Sequence, residues 1–494
     1  MVAVTPQDGT RMRYAWRVCA VTSLGLVLIG IAGSTLNVAL PTVVRHFRAD
    51  ALESGWILLS FLLVNTASLV LFGRVADLLG RREVYLAGFA LFTVASLLAG
   101  LSPGVWFLIA MRVLQAIGAA MILANGTVII TDAFPPERLS QGMGVYIGTL
   151  SVAQLAGPTL GGLIAETAGW QWIFWVNVPA GLLALGVGAA ILRKMPRRPK
   201  EPVDALGNVL VFAALSALLL ALSTAGSSGP TSPVVLAGAG LFVVLVPLIV
   251  LAERRAPNPV LDLRLFGGRL LTCANLASFC NALARSALIL VVALYFQAAR
   301  GVDAFTAGLS VLPVPVGIGL ASPIVGLLGQ RISPYALSIG GAVMSAAGLG
   351  TLMLTADPGT PYWVIGIGLF VAGCGSGTFL TGNTTQVMRA LPAGSLGVVN
   401  GFRVMVMNVG IVISVGLSLS VLTASVGPQV RAQVYAGTLS TLSPVAVGQL
   451  MDGFQRAYAV LFGVALIGAV LAALARQPQS APQSAPARRD STSR

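Results

Sequence analysis

Gly73-Arg74-Val75-Ala76-Asp77-Leu78-Leu79-Gly80-Arg81-Arg82 sets a charged turn between two apolar runs centred near Leu63 and Leu91. Its glycines permit a tight turn. Asp77 can pair with a neighbouring arginine or face a helix N-terminus, where negative charge is favoured. Such a charge latch would hold one conformational state more tightly than another. A solvated, positively charged loop between two membrane helices fits the same residues.

Outward from this turn, apolar runs continue along the whole chain. A spanning helix needs about 20 mostly apolar residues. That ruler gives about fourteen segments, centred near Leu28, Leu63, Leu91, Leu123, Val152, Leu183, Ala214, Phe242, Leu288, Val316, Ala346, Phe370, Ile411 and Leu466. Only 9% of the 494 residues are charged and 56% are hydrophobic, too few charges to clothe a soluble domain. The expected fold is an all-α membrane protein. The first run, Ala20 to Pro41, is too long for a signal-peptide core and reads as a retained helix.

The net charge of +14 sits mostly in short loops, which argues against nucleic acid as a partner and for the lipid bilayer. Lys and Arg stay on the cytoplasmic side. With both termini in the cytoplasm, only Arg45, Arg48, Arg300, Arg431 and Arg456 fall outside, and Arg112, Arg285 and Arg403 within helices. The chain divides into a six-helix bundle (1–195), a basic linker with two additional helices (196–265), a second six-helix bundle (266–476) and a polar, Pro-rich cytoplasmic tail (477–494), expected to be disordered. The outer stretch 425–452 is a cap or a connector. Gly118…Asn125…Pro135…Gly142 recurs as Gly375…Asn383…Pro392…Gly397, and Gly326 to Arg331 echoes the turn at Gly73. Parallel repeats of this kind put a small-molecule cavity between two halves.

The remaining composition excludes other chemistry. Cys19, Cys273, Cys280 and Cys374 lie in apolar runs and read as small apolar fillers. The one histidine, His46, makes a zinc site untenable. With no cluster of catalytic groups and no phosphate-cradling loop, neither an enzyme nor an ATPase motor is expected, and no cofactor or metal.

The Gly73–Arg82 stretch resembles the signature loop of the major facilitator superfamily, with Leu78 where arginine is common. The resemblance implies a gating role for Gly73, Asp77, Gly80, Arg81 and Arg82. Arg112-Val113-Leu114-Gln115-Ala116-Ile117-Gly118 resembles the family's fourth-helix motif, which makes Arg112 and Gln115 proton-relay candidates; snorkelling of Arg112 to the interface is the alternative. Gly157-Pro158-Thr159-Leu160-Gly161-Gly162 resembles the antiporter motif of the superfamily's exporters, carried by Gly157, Pro158, Gly161 and Gly162, although a packing kink has the same composition. Three further stretches, Asn37 to Pro41, Trp172 to Gly181 and Pro259 to Phe266, are similar to the fourteen-helix drug:proton antiporters of the EmrB/QacA type. The implied protein is an exporter of drug-like molecules in a bacterial-type inner membrane, working as a monomer with protons as partner.

One departure matters. Where that branch carries a first-helix aspartate, this chain has Ala32, and its other carboxylates map to tails, loops or helix ends. A cationic substrate would lack a buried counter-charge, whereas a neutral or anionic one would meet arginines. Proton coupling then falls to an edge carboxylate or to the substrate itself. Substrate-contact candidates are the polar groups deep in the apolar runs: Asn37, Gln154, Asn281, Arg285, Asn383 and Asn408. Asn281 and Arg285 are four apart on one helix face. Each asparagine could instead hydrogen-bond a neighbouring helix.

Overall fold

The computed structural model of the chain describes residues 6–194, 205–228, 232–255, 268–355, 357, 359–391, 395–423, 426 and 444–476. The linker before 205, the Pro259–Phe266 motif, most of 425–452 and the tail 477–494 lie outside the described residues.

Every described element is helical: α1 (Pro6–Phe47), α2 (Ala51–Leu79), α3 (Arg81–Gly100), α4 (Val105–Ala133), α5 (Leu139–Thr167), α6 (Trp172–Trp175), α7 (Asn177–Ile191), α8 (Ala205–Ser228) and α9 (Pro233–Arg255). After these come α10 (Arg269–Arg300), α11 (Ala304–Ser310), α12 (Pro313–Leu328), α13 (Pro334–Thr355), α14 (Tyr362–Ala390), α15 (Leu396–Leu422) and α16 (Pro444–Leu474). Hydrocarbon offers no partner to a bare N–H or C=O, so helices that satisfy their own backbone are the form these runs must take. Among the described residues, 12 helices are long and apolar enough to span a bilayer. The 29-residue α5 and the 24-residue α8 are two more long apolar helices, in keeping with the count of about fourteen.

The helices pair in two sets with the same wiring. In the first, α1 packs on α5, α4 and α7, α2 on α4, and α3 on α4 and α7. In the second, α10 packs on α15, α14 and α16, α12 on α14, and α13 on α14 and α16. The sets meet crosswise, α2 on α15 and α5 on α12, which is what a two-fold relation between repeats requires. Each set has its own apolar core: Tyr85, Phe89 and Phe92 sit in the first, Tyr295, Phe454 and Tyr458 in the second.

The hairpin α8–α9, central in sequence, is peripheral in space. Val211 and Leu215 of α8 pack into the seam formed by Ala67 and Val70 of α2 with Val398 and Met405 of α15. Outside it, α9 leaves Leu236, Val243 and Val244 exposed, a surface made for lipid tails. Leu215→Arg places a charge at mid-helix in that seam, a change worth about 3 kcal/mol on insertion scales. It is expected to lower the thermal unfolding midpoint in detergent, while Val243→Ala on the lipid face leaves it unchanged.

Candidate functional site

The charged turn from Gly73 to Arg82 closes one end of the molecule. Gly80 stands between α2 and α3 at φ 110°, a backbone setting that favours glycine. Arg81 donates from Nε (3.1 Å) and Nη2 (3.0 Å) to Asp77 Oδ1, and from Nη1 to Asp132 Oδ2 at the end of α4 (2.5 Å). Arg82 turns the other way and donates to the carbonyls of Leu192 (2.6 Å) and Ala189 (2.9 Å), capping α7. One turn thus ties α2, α3, α4 and α7 together.

The same turn faces the other half. A Cβ at Gly397 would stand 2.9 and 3.0 Å from the carboxylate oxygens of Asp77 and 2.6 Å from the carbonyl of Gly73. Asp77 therefore lies against the first turn of α15, where the helix dipole favours a negative charge by about 0.3–1 kcal/mol. On the opposite flank the repeat does the same: a Cβ at Gly326 of α12 would stand 2.7 Å from the carbonyl of Ser140 on α5. The degraded echo of the Gly73 turn thus occupies the matching contact.

One turn further in, the seam is hydrogen-bonded. Asn400, fully buried on α15, donates from Nδ2 to the carbonyls of Leu123 (3.2 Å) and Ala124 (2.9 Å) on α4. Asn408 donates to Thr66 Oγ1 across the same seam (3.0 Å). Beyond it, Leu63 packs on Val412. On α5, Ile147, Ser151 and Gln154 are spaced to share a face. Ile147 packs against the cores of both halves, and Gln154, two turns on, is exposed.

The glycines expected in an antiporter motif line the contact between α1 and α5. A Cβ at Gly157 would overlap Ser34 Oγ, and one at Gly161 would stand 2.7 Å from Thr35 Cα. These close approaches admit no larger residue without moving α1. The side chains of Asn37, Pro158 and Gly162 lie outside the described residues.

Arg112 is sealed in the first half at 2% exposure, so it does not snorkel to the interface. Its Nη1 donates to Gln115 Oε1 (2.6 Å) and its Nε to the Ile57 carbonyl (3.3 Å), and its guanidinium lies 4.2 Å from the centroid of the Phe61 ring. Gln115 Nε2 continues to Ser96 Oγ (2.8 Å). Among the described residues, this is a cation held by neutral acceptors and an aromatic face. Ala32, the position of the family aspartate, is buried in the same half's core.

In the second half the polar residues form rungs between helices. Asn383 of α14 accepts from Ser278 Oγ (2.9 Å) and donates to the Ala274 carbonyl (3.2 Å), both on α10. Arg403 of α15 donates to Asn383 Oδ1 (3.5 Å) and to Thr384 Oγ1. Asn281 donates to Ser376 Oγ (3.3 Å), beside a cavity of about 10 Å³, room for one water. Arg285 lies one turn on along the same stripe, its Nε buried without a hydrogen-bond partner. Asn281 and Asn383 thus serve helix-to-helix bonds in this structure. Asn400, Ser278, Thr384 and Ser376 were not singled out in sequence; the i, i+3 spacing of Asn400 and Arg403 on one apolar helix was the available sign.

Residues 22–208 and 274–493 match the family model described as Major Facilitator Superfamily. The chain belongs to the Major Facilitator Superfamily. It is a multi-pass membrane transporter of small molecules, and drug-resistance and export proteins are among its relatives. The multidrug resistance protein Stp of Mycobacterium tuberculosis is 31% identical over 82% of this chain and 75% of its own. The tetracenomycin C resistance and export protein of Streptomyces glaucescens is 28% identical over 97% of this chain and 94% of its own. The riboflavin transporter RibZ of Clostridioides difficile is 27% identical over 80% and 86%. Among solved structures, the human organic anion transporter MFSD10 superposes with a TM-score of 0.64 over 93% of this chain and 99% of that one, at 17% identity. That likeness concerns the fold alone.

Asn400→Leu removes two hydrogen bonds and leaves two helices apart at the closed end. In a Ser140→Cys background, whose position is buried against α12, the introduced thiol is expected to react several-fold faster with a water-soluble alkylating reagent. Site-resolved mass spectrometry separates it from the native cysteines. An unchanged rate would mean that Asn400 does not hold this end shut.

Proposed function

We propose that the chain exports apolar, drug-like small molecules by alternating access, in exchange for protons, and takes neutral or anionic substrates in preference to cations. The carrying observation is the charge inside the bundle. Arg112, Arg285 and Arg403 are embedded in spanning helices, while the described carboxylates other than Asp452 stand at or near helix ends or in turns, among them Asp50 and Glu53 in a capping box, Asp77 and Asp132 on Arg81, and Asp303 capping α11. Asp452 is exposed two turns into α16. Among the described residues a cation entering this bundle meets no buried opposite charge beyond Asp77, which Arg81 already holds, whereas an anion meets the arginines.

The direction of transport rests on the relatives named for resistance and export, one of them alignable over nearly the whole chain, and on the resemblance of Gly157, Pro158, Gly161 and Gly162 to the exporters' motif. The excess of Lys and Arg puts the Asp77 end and both termini in the cytoplasm. On that orientation the Asp77–Gly397 contact and the Asn400 bonds shut the cytoplasmic side. Substrate would meet Gln154 and Arg285 first, with Asn37, Asn281, Asn383 and Asn408 as further candidates. Arg112 and Gln115 are the proton-relay candidates. With Ala32 buried where a carboxylate is usual, the exchanged proton rides on an edge carboxylate or on the substrate. Uptake of a metabolite is the second reading, favoured by the likeness to a protein named as a riboflavin transporter.

Transport into inside-out vesicles under an imposed pH gradient, with a panel of neutral, acidic and cationic aromatic compounds, tests this reading. Acid-inside vesicles are expected to accumulate neutral or acidic compounds and to lose them on adding a protonophore. Arg285→Ala is expected to cut transport of the acidic compounds by tenfold or more while sparing neutral ones, and Ala32→Asp to admit cations. Efflux of ethidium-like cations by the unmodified chain, with no transport of acids, would refute the charge assignment.

A further inference from the structure

Arg112 and Arg403 are both buried cations, and they are accommodated differently. The Arg112 guanidinium lies over the Phe61 ring and gives Nε to the Ile57 carbonyl and Nη1 to Gln115, which donates to Ser96, whose hydroxyl donates to the Phe92 carbonyl (2.7 Å). Arg403, at 3% exposure, carries five N–H donors. The acceptors on them are Thr384 Oγ1 and, at the 3.5 Å limit, Asn383 Oδ1. The Thr384 hydroxyl spends its own proton on the Leu380 carbonyl (2.6 Å), and Asn383 Oδ1 already accepts from Ser278. Among the described residues no carboxylate forms an ion pair with Arg403.

Beside this cation stands a second unanswered group. Asn275, also 3% exposed, has neither its Nδ2 nor its Oδ1 hydrogen-bonded. It follows Ala274, whose carbonyl receives Asn383 Nδ2, and precedes Ser278 by three residues. It lies one turn before Phe279, against whose carbonyl Gly410 of α15 packs (2.9 Å for a Cβ there). One turn from Phe279 and three residues from Ser278, Asn275 therefore sits on the side of α10 that meets α14 and α15, near the level of Arg403. Tyr146 of α5, from the other half, is within electrostatic reach of the guanidinium. Asn400, on the same face of α15 and one turn nearer the Asp77 end, closes the floor beneath.

We infer that Arg403 and Asn275 form a binding site for a small monovalent anion, a halide or a carboxylate group, at the base of the space between the halves. A buried guanidinium is costly unless an opposite charge or enough acceptors answer it. The guanidinium has more N–H donors than acceptors about it and the Asn275 amide adds Nδ2 as well as Oδ1, so donors outnumber acceptors, and an excess of donors favours an anion. A carboxylate suits the guanidinium fork in bidentate fashion, and a halide suits it as a point charge. The site is independent of the direction of transport and of Arg285.

Thermal unfolding of the full-length protein in detergent, at fixed ionic strength, reads the site. Chloride or acetate is titrated against gluconate, an anion too bulky for an enclosed corner. The midpoint is expected to rise by several degrees and to saturate, as ligand linkage requires. Saturation by chloride alone assigns the site to an inorganic ion; saturation by acetate and formate, with chloride competing, assigns it to a carboxylate-bearing ligand. Arg403→Gln should abolish the response. Should that variant not fold, Asn275→Leu keeps the cation and removes one donor, and is expected to raise the half-saturating concentration about tenfold, one hydrogen bond to a charged ligand. A wild-type midpoint indifferent to the anion, or an unchanged half-saturation in Asn275→Leu, would overturn the site.

Discussion

The hydrocarbon interior of a bilayer accepts no hydrogen bond, and that constraint shapes every level of this protein. It makes the spans helical. It also makes lipid as good a neighbour for leucine as leucine is, so helices adhere by close backbone approach and by polar bonds rather than by hiding apolar area. The seams obey this. At Gly73 on Gly397, Gly326 on Ser140 and Gly161 on Thr35, backbone meets backbone, and Asn400, Asn408 and Asn383 are among the side chains that bond one helix to another.

Buried charge is handled in two ways. At the Asp77 end, near water, Arg81 has two carboxylates and Arg82 a helix terminus. Inside the bundle, Arg112 is surrounded by amide, carbonyl and ring, and Arg403 by hydroxyl and amide. The first arrangement fixes a contact between elements. The second leaves net positive charge in a medium of low dielectric, where a ligand's charge counts for more than in water.

The spans were legible because a run of about 20 apolar residues is a local property. All of the expected centres, from Leu28 to Leu466, fall inside helices. The Asp77–Arg81 pair was legible too, being one helical turn apart, and so was the echo at Gly326. The partner of Asp77 was not, because Gly397 lies in the other half of the sequence and a glycine gives no sign of what it will touch. Asn281 and Asn383 drew notice as polar groups in apolar runs. Whether such a group turns to a ligand or to Ser376 and Ala274 depends on the rotation of its helix within the bundle, which residue spacing on one helix leaves undetermined. Asn400 escaped notice although it makes the shortest bond across the α4–α15 contact.

Val211 and Leu215 of α8 touch α2 and α15 together, one helix from each half. At these two side chains the contact is alkyl against alkyl, unlike the directional bond that Asn408 gives Thr66 between the same two helices. Dispersion attraction is individually small and indifferent to a slip of an ångström or so. The α8–α9 pair thus covers the outside of the seam with alkyl groups, a contact that would tolerate a small slip of one side against the other.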